Sequence, residues 1–76
     1  MRPKAINVIP QDDYTLLLEF DTGEKKIFDV KPYLEHKVFK ALKDKENFKS
    51  VKISDLSIKW KNGADICPDE LYNLSK

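Results

Sequence analysis

Apolar and polar residues alternate along the first third of the chain, and this alternation predicts three β-strands. The run 14–20 is the clearest, because every second residue is apolar and would lie on the buried face of a sheet. β-Branched residues predict a strand over Lys4–Ile9 that Pro10 ends, since proline cannot donate to a strand ladder. A turn around Gly23, which tolerates positive φ, then joins the second strand to a third over Lys25–Val30.

The hydrophobic period changes after Pro32. Leu34, Val38 and Leu42 recur every four residues, with Phe39 beside them, and predict a short amphipathic α-helix with these side chains on its buried stripe. Phe48 follows as an isolated apolar anchor in a polar stretch.

The last third of the chain predicts a second hairpin. Val51–Ile53 alternates as a fourth strand, and Ile58 and Trp60 share one face of a fifth. Asn62-Gly63 indicates a two-residue type I′ turn with positive φ at both central positions, and Ala64–Ile66 returns as a sixth strand.

These elements predict one small α+β domain over residues 1–76. Pro68 and the acids after it indicate the start of a closing helix, because proline suits the first helical position and acids suit the positive end of the dipole. The order is therefore β-β-β-α-β-β-β-α. We expect a mixed or antiparallel sheet of about five to six short strands, with one packing helix and a short C-terminal helix.

Composition agrees with a folded domain, since 41% of the 76 residues are hydrophobic and they fall in patterned runs. Cys67 is the only cysteine, so no intrachain disulfide or cysteine-rich zinc site can form. No run approaches the roughly 20 apolar residues that span a bilayer, and no secretory signal pattern is present. These features predict a cytoplasmic protein without a membrane partner.

The charges are unevenly distributed although the net charge is only +1. Residues 11–35 hold seven acids and three lysines, whereas residues 37–52 hold six lysines and two acids. Opposite charge blocks of this kind favour a complementary protein partner.

Three segments carry a resemblance to a known family: residues 20–24, 28–34 and 60–72. Together they resemble the bacterial family called Domain of Unknown Function 2442 over nearly the whole chain. The most specific matches are Trp60, Asn62, Gly63, Asp65, Pro68, Leu71 and Tyr72. The resemblance implies a small α+β protein. Some members carry a helix-turn-helix domain after this one, and others resemble the antitoxin-like half of a two-gene pair.

The closing motif contains the residues that we consider for an interaction surface: Trp60, Asn62, Asp65 and Tyr72. Exposed aromatics are typical anchors of protein interfaces. The structural alternative is that Trp60 buries a hairpin face, Asn62 sets the turn, and Asp65 accepts hydrogen bonds from the start of the closing helix.

Lys37, Lys40 and Lys43 form a candidate basic patch, whose alternative is a solvated helix face. Cys67 lies beside the predicted helix start, where reactive thiols occur, but no histidine or second cysteine lies near it in sequence, and an incidental residue is the favoured interpretation. His36 has no converging partners in the sequence. We therefore assign no catalytic residue, metal site or cofactor.

The sequence leaves three classes of function open. The favoured hypothesis is a non-enzymatic binding or accessory protein, with a co-encoded small protein or a second copy of the chain as partner. The family resemblance implies an antitoxin-like role for it. A regulatory module that contacts DNA or RNA is the alternative, and an enzyme comes third. A homodimer that pairs edge strands across a two-fold axis would suit so small a core.

Overall fold

The computed structural model describes residues 3–55 and 57–76, so that Met1, Arg2 and Leu56 lie outside the described residues. Its elements in chain order are β1 (Ala5–Pro10), β2 (Thr15–Phe20), β3 (Lys25–Asp29), a first 3₁₀ helix (Lys31–Tyr33), a second 3₁₀ helix (Lys37–Lys43), α1 (Lys45–Phe48), β4 (Lys52–Ser54), β5 (Ser57–Lys59), β6 (Asp65–Ile66) and α2 (Pro68–Leu74). This order confirms the predicted α+β class and its closing helix.

The strands lie in two antiparallel sheets of three strands each, in the orders β1-β2-β3 and β4-β5-β6. β4 lies beside β1, but the two sheets share no ladder. β1 includes Pro10, which lies opposite Leu16, whereas the sequence predicted that the strand would end at Ile9. Since Gln11 N donates to Thr15 O, the nitrogen of Pro10 points away from β2 and no ladder bond is lost.

The β2–β3 and β5–β6 hairpin loops have the same construction. Gly63 N donates to Trp60 O at 3.0 Å, and Gly63 has φ +94°, in the left-handed region. Gly23 does the same at the β2–β3 loop with φ +89°. The predicted type I′ turn at Asn62-Gly63 is therefore wrong: among the described non-glycine residues only Tyr14 and Asp55 have positive φ. Three residues form the loop, and glycine alone takes the left-handed position.

The segment predicted as one amphipathic α-helix is two 3₁₀ helices followed by α1, and Val38 departs from the expected buried stripe, whereas Leu34 is buried as predicted. Val38 is 60% exposed, whereas Phe39 and Leu42 are buried. A 3₁₀ helix has three residues per turn, so Phe39 and Leu42 share its buried face and Val38 turns outward. A period of 3.6 would have placed Val38 with Leu42.

One hydrophobic cluster contains residues from both sheets, from the helical segment and from α2. The inner face of the first sheet supplies Leu16, Leu18 and Phe28, and α2 supplies Leu71. Phe28 of this face contacts Tyr33 of the first 3₁₀ helix, with ring centroids 5.6 Å apart, and most residues on the other side of the first sheet are exposed or half-buried. Among the described helices, none is long and apolar enough to cross a membrane.

Candidate interaction surface

Trp60 lies in the core and is only 1% exposed. Its Nε1 donates a hydrogen bond to Phe48 O at 3.0 Å, and its ring packs edge-on against Phe39 with centroids 5.9 Å apart. The hydrogen bond satisfies the one polar atom of the indole, which is what a buried tryptophan requires. A partner protein would therefore not contact this residue on the folded surface.

The other motif residues are spread over different contacts. Asn62 is exposed; its Oδ1 accepts from Ala64 N at 3.1 Å, and its Nδ2 donates to Val38 O at 3.1 Å. This residue thus joins the second hairpin to the second 3₁₀ helix. Asp65 is exposed on β6, and the N-cap position of α2 belongs to Cys67, whose side chain makes no capping bond. Asp65 is consequently not the N-cap residue that its sequence position suggested.

Tyr72 attaches α2 to the first hairpin. Its hydroxyl donates to the carboxylate of Glu24 at 3.0 Å, and Lys26 Nζ lies 3.7 Å from the centre of its ring. The hydroxyls of Thr22 and Tyr72 hold the pKa of Glu24 below its usual range, and the bond to Glu24 raises the pKa of Tyr72. These contacts give Tyr72 a structural role at the end of the chain.

Tyr33 makes a second bond of the same kind. Its hydroxyl donates to Glu70 of α2 at 2.5 Å. Burial first, and then the hydrogen bond and the charge of Glu70, raise the pKa of Tyr33 to about 12. Two tyrosine–carboxylate bonds therefore hold α2 from opposite sides.

The lysines of the candidate basic patch lie in line. Lys37, Lys40 and Lys43 are spaced by three residues on the second 3₁₀ helix, so they project from one face. All three are exposed, and Lys43 Nζ lies 3.1 Å from the carboxylate of Glu35. The stripe thus presents cations to solvent, one of them already paired at the surface.

An open groove of about 500 Å³ runs along β6 and the start of α2. Its lining includes the carboxylates of Asp55 and Asp65, the ammonium of Lys59 and the thiol of Cys67. His36 lies elsewhere, with its ring 6.2 Å from that of Tyr33. Among the described residues no three side chains of histidine, cysteine, aspartate or glutamate are grouped to hold a metal ion.

A row of apolar side chains crosses the solvent side of the first sheet. Ile9 of β1 is opposite Leu17 of β2, and Leu17 is opposite Ile27 of β3. Ile9 is 48% exposed, Ile27 is 44% exposed and Leu17 is half-buried. We call these three residues the outer row, and the solvent side of the sheet the outer face.

Polar residues flank the outer row on both sides. One flank is the cross-strand row of Asn7, Glu19 and Lys25, and the other contains Thr15 and Asp29. The outer row was missed from the sequence because each strand contributes only one apolar residue to it. Strand register aligns the three, and register was not known before the structure.

Residues 5–76 match the family model described as a protein of unknown function (DUF2442). The chain belongs to this family. No curated protein and no solved structure gave a significant match. The matched segment of this DUF2442 chain begins with β1 and includes both hairpins, the lysine stripe and the outer row, so all of these features lie within the family domain.

Proposed function

We propose that this DUF2442 protein is a non-enzymatic protein-binding module, and that a co-encoded small protein docks on its outer face. The single observation that carries the proposal is the outer row, three apolar side chains aligned across three strands, of which Ile9 and Ile27 are exposed and Leu17 is half-buried. Apolar residues grouped on a surface and bordered by polar ones are typical of protein interaction sites.

The surroundings of the outer row support a specific contact. Glu19 and Lys25 lie together on one flank, and Asp29 lies on the other. Charges at the border of an interface orient the partner and exclude wrong ones. The inner face of the same sheet is fully used by the core, so only the outer face of this sheet is available to a second protein.

The antitoxin-like part of the proposal comes from the family resemblance, in which some members form half of a two-gene pair. In that role the protein would bind the neighbouring gene product and cover the surface through which that product harms growth. A small module that only binds requires no catalytic group.

The test is co-expression with the product of the adjacent gene, with an affinity tag on one of the two. We expect the pair to copurify, and we expect Ile9→Lys to reduce the captured partner at least about tenfold, because a charge would enter an apolar contact. Val38→Lys is the matched control, since Val38 is also an exposed apolar residue but lies on the second 3₁₀ helix. It should leave capture unchanged.

Two results would overturn the proposal. One is that the proteins purify separately; the other is that Ile9→Lys, shown to be folded by circular dichroism, captures as much partner as the wild type. A growth assay tests the antitoxin-like part on its own. If the neighbouring gene product expressed alone does not slow growth, that part fails even if binding is found.

The lysine stripe favours a second candidate function, a regulatory module that contacts DNA or RNA. Aligned exposed lysines suit phosphate groups, and such binding weakens steeply with salt because counterions are released. A fluorescence anisotropy titration at low and high salt, with duplex DNA of the surrounding promoter and with total RNA, tests this candidate. Binding that is lost in the triple variant Lys37→Ala, Lys40→Ala, Lys43→Ala would support it. Undetectable binding at low salt would remove it.

A further inference from the structure

β3 has an edge that no strand of either sheet covers. Phe20 N donates to Glu24 O, and Val30 N donates to Tyr14 O, so the backbone groups of Glu24 and Val30 point toward β2. The backbone groups of the residues between them therefore alternate in direction, and those of Lys25, Ile27 and Asp29 point away from β2. Three residues thus present outward donors and acceptors on this edge.

Only the middle of this edge has a backbone partner among the described residues. Ile27 N donates to Lys76 O at 2.7 Å, and Lys76 N donates to Ile27 O at 2.8 Å. Lys76 thus makes a single two-bond pair at Ile27. The outward backbone groups of Lys25 and Asp29 have no such pair in the described chain.

The side chains on this edge form a self-complementary pattern. Lys25, Ile27 and Asp29 all project on the outer face, in the order positive, apolar, negative. When such a strand pairs antiparallel with a second copy of itself, centred on Ile27, each lysine lies opposite the aspartate of the other copy. Cross-strand pairs of opposite charge stabilise a sheet, whereas like charges directly opposite destabilise it.

We propose that two copies of this chain pair through their β3 edges, antiparallel and around a two-fold axis at Ile27. The two first sheets then form one six-stranded sheet. Ile27 meets its counterpart at the axis, and the outer rows of the two copies join into one continuous apolar row. An isologous contact of this kind closes after two copies and leaves no further β3 edge exposed.

The pairing requires Lys76 to leave Ile27. Its two hydrogen bonds occupy the point through which the axis passes, so the monomer and the dimer compete for the same backbone groups. Dimerisation therefore depends on protein concentration, and weakening the Lys76 contact favours the dimer. This inference goes beyond the proposed function, because it concerns a second copy and an edge, whereas the co-encoded partner docks on the face.

Charge exchange gives the decisive test, with mass measured by sedimentation equilibrium over a range of concentrations. Lys25→Asp places two aspartates opposite each other at both ends of the contact, and Asp29→Lys does the same with lysines. We expect each single variant to dimerise at least about tenfold more weakly than the wild type. The double variant Lys25→Asp, Asp29→Lys restores opposite charges and should recover the wild-type dimer.

The double variant also controls for local damage. Asp29 pairs with Lys31 at 3.1 Å and accepts from Lys31 N, and these contacts are lost both in the single variant Asp29→Lys and in the double variant. Recovery in the double variant therefore arises from the cross-strand charges. Ile9→Lys, which lies two strands away, should dimerise normally, so that a failure of the proposed partner binding is distinguishable from a failure of dimerisation.

Three results would overturn the inference. The first is a wild-type protein that stays monomeric up to millimolar concentration. The second is a folded double variant that dimerises no better than the single variants. The third is an unchanged dimerisation constant in Lys76→Pro, which lacks the N–H that donates to Ile27 and should dimerise several-fold more tightly.

Discussion

At the scale of single residues, Trp60 combines packing with a buried hydrogen bond. Its ring fills space between Phe39 and Phe48, and its Nε1 is the donor to Phe48 O. Val51 N also donates to this carbonyl, at the longer distance of 3.4 Å, so loss of the indole donor removes the shorter of its two hydrogen bonds. Removing the indole nitrogen therefore has an effect beyond the lost volume.

We predict that Trp60→Phe lowers the free energy of unfolding by about 0.5–1.5 kcal/mol from the lost hydrogen bond, because Phe48 O keeps only the longer bond from Val51 N at 3.4 Å, with a further loss from the smaller ring. Urea denaturation followed by far-UV circular dichroism measures it. Lys61→Ala is the control, because Lys61 is exposed and should change stability by no more than about 0.5 kcal/mol. Equal stability of Trp60→Phe and the wild type would contradict the buried bond.

Tyr33 gives a prediction in alkaline solution. Its pKa is raised from 10.0 to about 12 in the folded protein. As pH rises through this range, the unfolded chain loses the phenolic proton first, so the free energy of unfolding falls. The contribution is complete below about pH 10 and is lost by about pH 12.

Tyr33→Phe lacks this group, so its stability should fall less steeply with pH than that of the wild type. Urea denaturation of both proteins at several pH values across the range measures the difference between them. Other groups that titrate there cancel in this difference. Parallel curves for the two proteins would show that Tyr33 does not keep its proton preferentially in the folded state.

At the scale of elements, the second 3₁₀ helix decides which apolar residues reach the core. Leu42 is fully buried, whereas Val38 lies on a different face of the helix and projects into solvent. An α-helix over the same residues would bury both. The free energies of unfolding of alanine variants at these two positions therefore distinguish a 3₁₀ helix from an α-helix.

We predict that Leu42→Ala lowers the free energy of unfolding by about 2–5 kcal/mol, because it leaves a cavity in a packed core. Val38→Ala should change it by no more than about 0.5 kcal/mol. Chemical denaturation of the two variants alongside the wild type checks both values. A large loss at Val38 would indicate that the segment is an α-helix in solution.

At the scale of the whole molecule, the two sheets share one hydrophobic cluster although they share no ladder. Phe20 of the first sheet, Ile58 of the second and Leu71 of α2 all belong to it. Because the core is shared, unfolding of one sheet would expose the buried side chains of the other to water. This arrangement bears on whether the chain unfolds as one unit.

We predict a single cooperative unfolding transition, as expected of a small domain with one core. The fluorescence of Trp60, next to the second sheet, and far-UV circular dichroism of the whole chain should give coincident denaturation curves. Amide hydrogen exchange of β2 and β5 should give the same maximal free energy of opening. Separate transitions would show that the two sheets are independent units.

Much of the architecture was predictable because it depends on local period and turn residues. Alternation located the strands, and Gly23 and Gly63 marked both loops. The candidate surface was less predictable. Trp60 is a strong interface residue by type, yet its environment places it in the core, while the outer row consists of ordinary aliphatic residues that only register brings together.

The amino-acid sequence by itself determined the α+β class, the order of the strands and the places of the two glycine loops, because these follow from side-chain period and from the conformations open to glycine and proline. Tertiary structure alone decided the division into two sheets, the 3₁₀ geometry that turns Val38 outward, and the alignment of Ile9, Leu17 and Ile27. The reason is physical: these features depend on contacts between residues far apart in the chain, whose free energies no local pattern contains.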